Sequence, residues 1–158
     1  MEDSAEVSPT ATDVPRPVAP VIGLFEMVLE VQDLAAAERF YREVIGLPVV
    51  ARWSDERPAT WLGLGREGYL GLWPVASGGA VAIHSGRGGS HVHFALRLPY
   101  GALDVTAARL EAGSYPTEAV DFGGGDRAIY LKDPDGNVVE LTERATLWDG
   151  SPATEEPA

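Results

Sequence analysis

The chain has 158 residues, 24 of them acidic and 12 basic, for a formal net charge of −12, and 45% are hydrophobic. That balance supports one globular domain with a real core and leaves no basic stripe to meet nucleic-acid phosphates. There is no cysteine, no apolar run as long as a membrane span and no basic-then-apolar leader, which excludes disulfides and thiolate metal sites and makes a cytoplasmic protein with no membrane partner the expectation.

Residues 1–20 are rich in Pro, Ser, Thr, Ala and acid, without periodicity, and read as a disordered tail. Leu24 to Val31 alternates as a strand. Phe25, Met27, Leu29 and Val31 form an apolar face, and Leu24, Glu26, Val28 and Glu30 a face that meets solvent or a polar cavity. Asp33 reads as the N-cap of a helix over 34–45, with Leu34, Ala37, Phe40, Tyr41 and Val44 on one side and Gly46 as its stop. Leu47 to Trp53 is a further strand. Trp61–Leu64 and Tyr69–Trp73 flank a short turn as a hairpin.

Residues 74–89 hold five glycines and His84, and read as a connector. The pattern then repeats. His91 to Leu98 is a strand, Leu103 to Ala112 a helix closed by Gly113, and Thr117 to Val120 a short strand. Residues 128–143, AIYLKDPDGNVVELTE, form a hairpin with its turn at Asp133-Pro134-Asp135-Gly136. Its return strand puts Val138, Glu140 and Thr142 on one face. A carboxylate in an apolar strand costs free energy unless it is paired, hydrogen-bonded or on a metal, so Glu140 is the first candidate functional residue.

Four runs carry a resemblance: EMVLEVQDLAAAERFYREVIGL at 26–47, HVHFAL at 91–96, LDVTAARLEAG at 103–113 and IYLKDPDGNVVEL at 129–141. Taken in order, they resemble the vicinal oxygen chelate superfamily, which covers glyoxalase I, fosfomycin-resistance enzymes, extradiol dioxygenases and bleomycin-resistance proteins. The resemblance implies an α+β fold in which two βαβββ modules pair into a half-open mixed-sheet cavity with helices outside. The domain would span 21–145, with module one at 21–75, a linker at 76–89, module two at 90–145 and a flexible acidic end at 146–158. It further implies a small-molecule ligand and a homodimer.

In that superfamily the metal ligands come from the first and last strands of the modules. The matching positions here are Glu26, His91 and Glu140, with Gly71 where glyoxalase I carries a glutamate. Glu26 stands where a histidine is usual. One imidazole and two carboxylates suit Mn, Fe, Ni or Mg. Such an ion would serve a lyase, isomerase or dioxygenase acting on a small oxygenated substrate. His93 shares a face with His91 and can act as ligand, acid–base group or cavity lining. Tyr130 resembles the cavity tyrosine of the dioxygenase branch, and Glu30 is a candidate general base or a solvated strand-end acid. Trp61, Tyr69 and Trp73 are candidate substrate-binding walls or simple core aromatics. The alternative expectation is a metal-free protein of the bleomycin-resistance type, sequestering a cationic aromatic ligand in an acidic, aromatic cavity.

Overall fold

The computed structural model describes residues 23–66, 68–75, 93–148 and 150–152; the expected tail at 1–20, the linker at 76–89, His84 and His91 lie outside them. Two copies of one path follow each other. Module one runs β1 (Glu26–Val31), α1 (Leu34–Arg39), a π-helical turn (Phe40–Ile45), β2 (Val49–Arg52), β3 (Thr60–Leu64) and β4 (Gly68–Pro74). Module two runs β5 (His93–Arg97), α2 (Leu103–Ala112), β6 (Glu118–Gly123), β7 (Asp126–Lys132) and β8 (Val138–Glu143). Each forms a four-stranded mixed sheet, ordered β1-β4-β3-β2 and β5-β8-β7-β6. The first strand of each module runs parallel to its last, and the other pairs are antiparallel. This is the expected α+β architecture of two βαβββ modules, with neither sheet closed into a barrel.

Alternation decides which way each strand faces. On β1, Leu29 and Val31 are buried while Val28 is 43% exposed. On β8, Val139 and Leu141 join the core, and Glu140 and Thr142 face the other way. Buried side chains of both modules make one continuous core, from Leu29, Leu62, Leu70 and Leu72 to Ile129, Leu131, Val139 and Leu141. Most of the folding free energy comes from removing such side chains from water.

The helix expected over 34–45 begins as read: the Asp33 side chain accepts from Ala36 N at 3.0 Å. Its second half is wider than an α-helix. Gly46 N and Leu47 N both donate to the Tyr41 carbonyl, at 3.0 and 2.9 Å, and Gly46 closes the turn at φ 98°. Phe40, Tyr41 and Val44 are all buried there. Tyr41 reaches into module two, where its hydroxyl donates to Asp133 Oδ2 at 2.7 Å and its ring meets Phe94. Phe40 meets Tyr115 at the far end of α2.

The β7–β8 turn is therefore a junction as well as a hairpin. Asp133 Oδ1 accepts from Asp135 N and Asn137 N, and Asp133 Oδ2 from Asn137 Nδ2 as well as Tyr41. Asp135 Oδ1 accepts from Gln32 N, just past β1, at 2.7 Å. At the other end of β8, the buried Glu143 holds the start of α2 by accepting from Gly101 N at 2.9 Å and Leu103 N at 3.1 Å. Arg127, on the neighbouring strand, pairs with both Glu143 and Asp104. Thr146 and Pro152 close a small bridge within the expected C-terminal end.

Candidate functional site

Residues paired in register across a sheet point to the same face. Module one has the row Val28–Gly71–Trp61, and module two the row Ala95–Glu140–Tyr130. Glu140 is thus the structural counterpart of Gly71, as the repeat predicted, and Tyr130 that of Trp61. Glu26 lies two residues before Val28, and His93 two before Ala95. The register therefore makes His93 the counterpart of Glu26.

In module two the faces converge on a carboxylate. His93 Nε2 lies 2.9 Å from Glu140 Oε2. Tyr130 hydrogen-bonds the same carboxylate, and its ring stands edge-on to the His93 ring with centroids 5.5 Å apart. Burial first, and the Glu140 carboxylate second, raise the Tyr130 hydroxyl above its ordinary 10.0, so it keeps its proton at neutral pH. Glu140 is 7% exposed. The cost of burying it is met by two hydrogen-bonding side chains, which answers the question its position raised.

The equivalent place in module one is filled differently. Trp61 lies across Gly71, and a Cβ added there would fall 2.7 Å from Trp61 Cζ3. Trp53 packs against Trp61 at 5.7 Å and edge-on to Trp73 at 5.2 Å, between ring centroids. The Arg57 guanidinium sits 5.8 Å from the centroids of both Trp53 and Trp73. The indole N–H groups of Trp61 and Trp73 are shut away from solvent, with no acceptor among the described residues. An unmet buried donor of that kind costs about 1–3 kcal/mol.

The other expected residues lie along β1 and β4. Glu26 is exposed and in register with Tyr69; Glu30 is half-buried and in register with Trp73. Tyr69 packs edge-on to Phe25, apart from the three tryptophans. Among the described residues, no three His, Asp or Glu side chains come together closely enough to hold a metal. Within the described chain, then, His93, Tyr130 and Glu140 meet, Trp61 and Trp73 each pack on Trp53, Glu30 lies in register with Trp73, and Glu26 joins neither group.

Two members of the aromatic group escaped the sequence reading. Trp53 lies one residue past the end of β2, yet its N–H still donates to the Ala59 carbonyl at 2.9 Å, so the ladder carries its ring onto the same face as Trp61. Its two-residue spacing from Ala51, which pairs with Trp61, was the available signal. Arg57 had none, because it returns to the rings through an irregular turn.

Residues 26–142 match the family profile described as a glyoxalase-like domain. The chain is 29% identical to virulence protein STM3117 of Salmonella typhimurium, over 74% of this chain and 81% of that one. Its structure resembles that of a lactoylglutathione lyase from Agrobacterium tumefaciens, with a TM-score of 0.64 and 27% identity over 79% of this chain and 96% of that one. It also superposes on the fosfomycin resistance protein FosX of Listeria monocytogenes, solved with Mn(II) and sulfate. That TM-score is 0.62 at 16% identity, over 83% and 98% of the two chains. The duplicated βαβββ path and the matched profile together make this chain a member of the glyoxalase-like domain family, within the vicinal oxygen chelate superfamily.

Proposed function

We propose that the chain is a metal-dependent enzyme of the glyoxalase type that moves a proton on a small substrate bearing two neighbouring oxygens. The observation that carries this reading is the His93–Glu140 pair. Its 2.9 Å nitrogen–oxygen separation is ordinary for a hydrogen bond. It also leaves the imidazole and the carboxylate close enough together that both would hold one divalent ion. The donor set fits a divalent ion: an imidazole beside a carboxylate, with a second carboxylate, Glu26, at the symmetry-related position. In this reading His93 takes the role expected of His91, because it holds the register position of Glu26. Mn, Fe, Ni or Mg would suit these ligands. When bound, the ion supplies Lewis-acid polarisation of a substrate carbonyl or hydroxyl.

The chain's own residues account for the rest. Tyr130, kept protonated beside Glu140, donates to a developing negative charge on a substrate oxygen. Glu30, on the same face as Glu26, is the candidate base. Glu26 joins no such group within the described chain, and we assign its approach to a second copy, which makes the active form a homodimer.

Calorimetric titration with Mn²⁺ tests the reading. Parent protein should bind Mn²⁺ while Glu26→Ala, His93→Ala and Glu140→Gln do not, and His91→Ala should still bind. Mixing Glu26→Ala with Glu140→Gln under subunit exchange should restore about a quarter of the parental sites, since half the dimers would hold one intact site of two. Parent protein that binds no Mn²⁺ refutes the metal, and a mixture that stays empty refutes the shared site.

A second reading, a metal-free protein that sequesters an aromatic ligand, is favoured by the tryptophan cluster of module one.

A further inference from the structure

The cluster in module one has features that a packing role does not require. Three indoles share one sheet face outside the common core. Two of their N–H groups have no acceptor among the described residues. A guanidinium stands beside two of the rings. Trp53, the outer ring, is 45% exposed and sits past the end of β2, next to an irregular turn at 54–58. Trp61 and Trp73 lie further in, on β3 and β4.

We propose that Trp53, Trp61, Trp73 and Arg57 form a binding site for a planar aromatic anion, such as an aryl carboxylate. Ring stacking supplies much of the affinity, and the negative ring faces by themselves lean toward a cation. The polar groups set the sign. The three polar groups of the cluster itself, Arg57 and the two indole N–H, are donors. A carboxylate or quinone-like oxygen reaching the rings gives the orphaned N–H groups the partner they lack. A cationic ligand would leave both unmet, and it would find its place over Trp53 and Trp73 already taken by Arg57. The opposing charges are Glu30, in register with Trp73, and Asp55 and Glu56, which precede Arg57 in the turn. Direct contacts to Arg57 and two buried indole donors favour an anion over these acids, because Asp55 and Glu56 are exposed and screened by water. Trp53 is the element that must yield: as the outer, half-exposed plate it swings aside to uncover the two rings behind.

The inference reverses the cationic preference expected from the bleomycin-resistance type, with Glu26 and Glu30 beside the aromatic residues. Total charge describes the far field, whereas selectivity is set by the groups in contact. It rests on reading this face as ligand-binding and is independent of the metal, so the Mn²⁺ titration and the experiment below fail separately.

The test uses full-length ¹⁵N-labelled protein titrated with three probes of one shape: 2-naphthoate, neutral 2-naphthamide and cationic 2-(aminomethyl)naphthalene. Naphthoate should bind saturably, at least tenfold more tightly than the cation, and should move two of the four indole N–H resonances downfield. The amide should fall between. Arg57→Gln, a change at an exposed turn residue, should lose most of the anion preference while still binding Mn²⁺ as the parent does. Trp53→Phe should weaken naphthoate more than it alters the preference. The proposal is overturned if the cation binds as tightly as the anion, or if Arg57→Gln keeps the parental preference. It is also overturned if no probe gives saturable shifts. Indole resonances that respond only to protein concentration would overturn it too, by making the cluster a contact between two copies of the chain.

Discussion

Gly71→Ala is the most direct probe of the divergence between the modules. The added Cβ would sit 2.7 Å from Trp61 Cζ3 and 2.9 Å from Cη2, against 3.4 Å for an ordinary close contact. One flat ring atom cannot yield alone; the whole indole must tilt, and Trp53 packs on it at 5.7 Å. Forcing a methyl into a packed site costs about 1–3 kcal/mol. Restricting the unfolded backbone returns about 0.4–1 kcal/mol, because Gly71 does not need a positive φ. The net expectation is a loss of about 1–2 kcal/mol, roughly 5- to 30-fold in the folding equilibrium. In a Trp61→Ala background the same change should be neutral or stabilising by about 0.5 kcal/mol, a coupling of about 1–2 kcal/mol. Urea unfolding followed by far-ultraviolet circular dichroism measures all four proteins without relying on tryptophan emission. A Gly71→Ala loss under about 0.3 kcal/mol, or the same loss in both backgrounds, would refute the claim that Trp61 fills the vacated place.

Tyr41→Phe should cost about 1.5–2 kcal/mol in urea unfolding, the lower part of the range for a hydrogen bond to a charged group, because Asp133 keeps three other donors. Glu143→Gln should remove an acid-sensitive component of stability. Burial works to raise the Glu143 carboxyl, but Arg127 and the Leu103 and Gly101 N–H groups together hold it below its usual 4.5. Its contribution is therefore complete above pH 4.5 and lost as pH falls through the lower folded value, and the gap in Tm between parent and variant should narrow only on that acid side. Asp135→Asn should behave in the opposite sense. Burial, with Asp133 and Asp33 adding to it, holds this carboxyl above 3.8 despite the Gln32 N–H that opposes them. The parent therefore gains stability as pH falls through the raised native value, and any advantage of the variant at neutral pH should shrink over that window and stop changing below 3.8, as melting curves across the range would record.

The parts of the fold that depend on local pattern were legible in the sequence. Strand alternation gave the two faces of β1 and β8, and Asp33 and Gly46 marked the helix ends. The two similar paths made Gly71 and Glu140 equivalent. What failed to show was whatever depends on register or on distant partners. Alternation puts His91 and His93 on one face and cannot choose between them; the pairing of Ala95 with Glu140 brings His93 to the carboxylate, while His91 lies outside the described residues. The π-helical turn is invisible because Phe40, Tyr41 and Val44 satisfy both a 3.6-residue period and a wider one. Nothing in the local pattern singles out Glu143 at the end of β8, yet it meets the start of α2 some 40 residues earlier in the chain. Trp53 and Arg57 needed the β2–β3 ladder to be drawn before their positions could be known.

The unlike fates of Gly71 and Glu140 also bear on how a ligand can sit. A cavity lined by two identical repeats would be nearly two-fold symmetric, and a small molecule could enter it in either of two poses with similar ease. Here one half offers a carboxylate with His93 and Tyr130, and the other a wall of indole with no acid at the matching place. The two poses are then no longer equivalent. In the reading proposed above, the flat end of a substrate would go to one half and its reactive oxygens to the other, which would confine the chemistry to a single carbon and a single face of it. Duplication supplied the container, and the divergence of one residue pair gives it a direction.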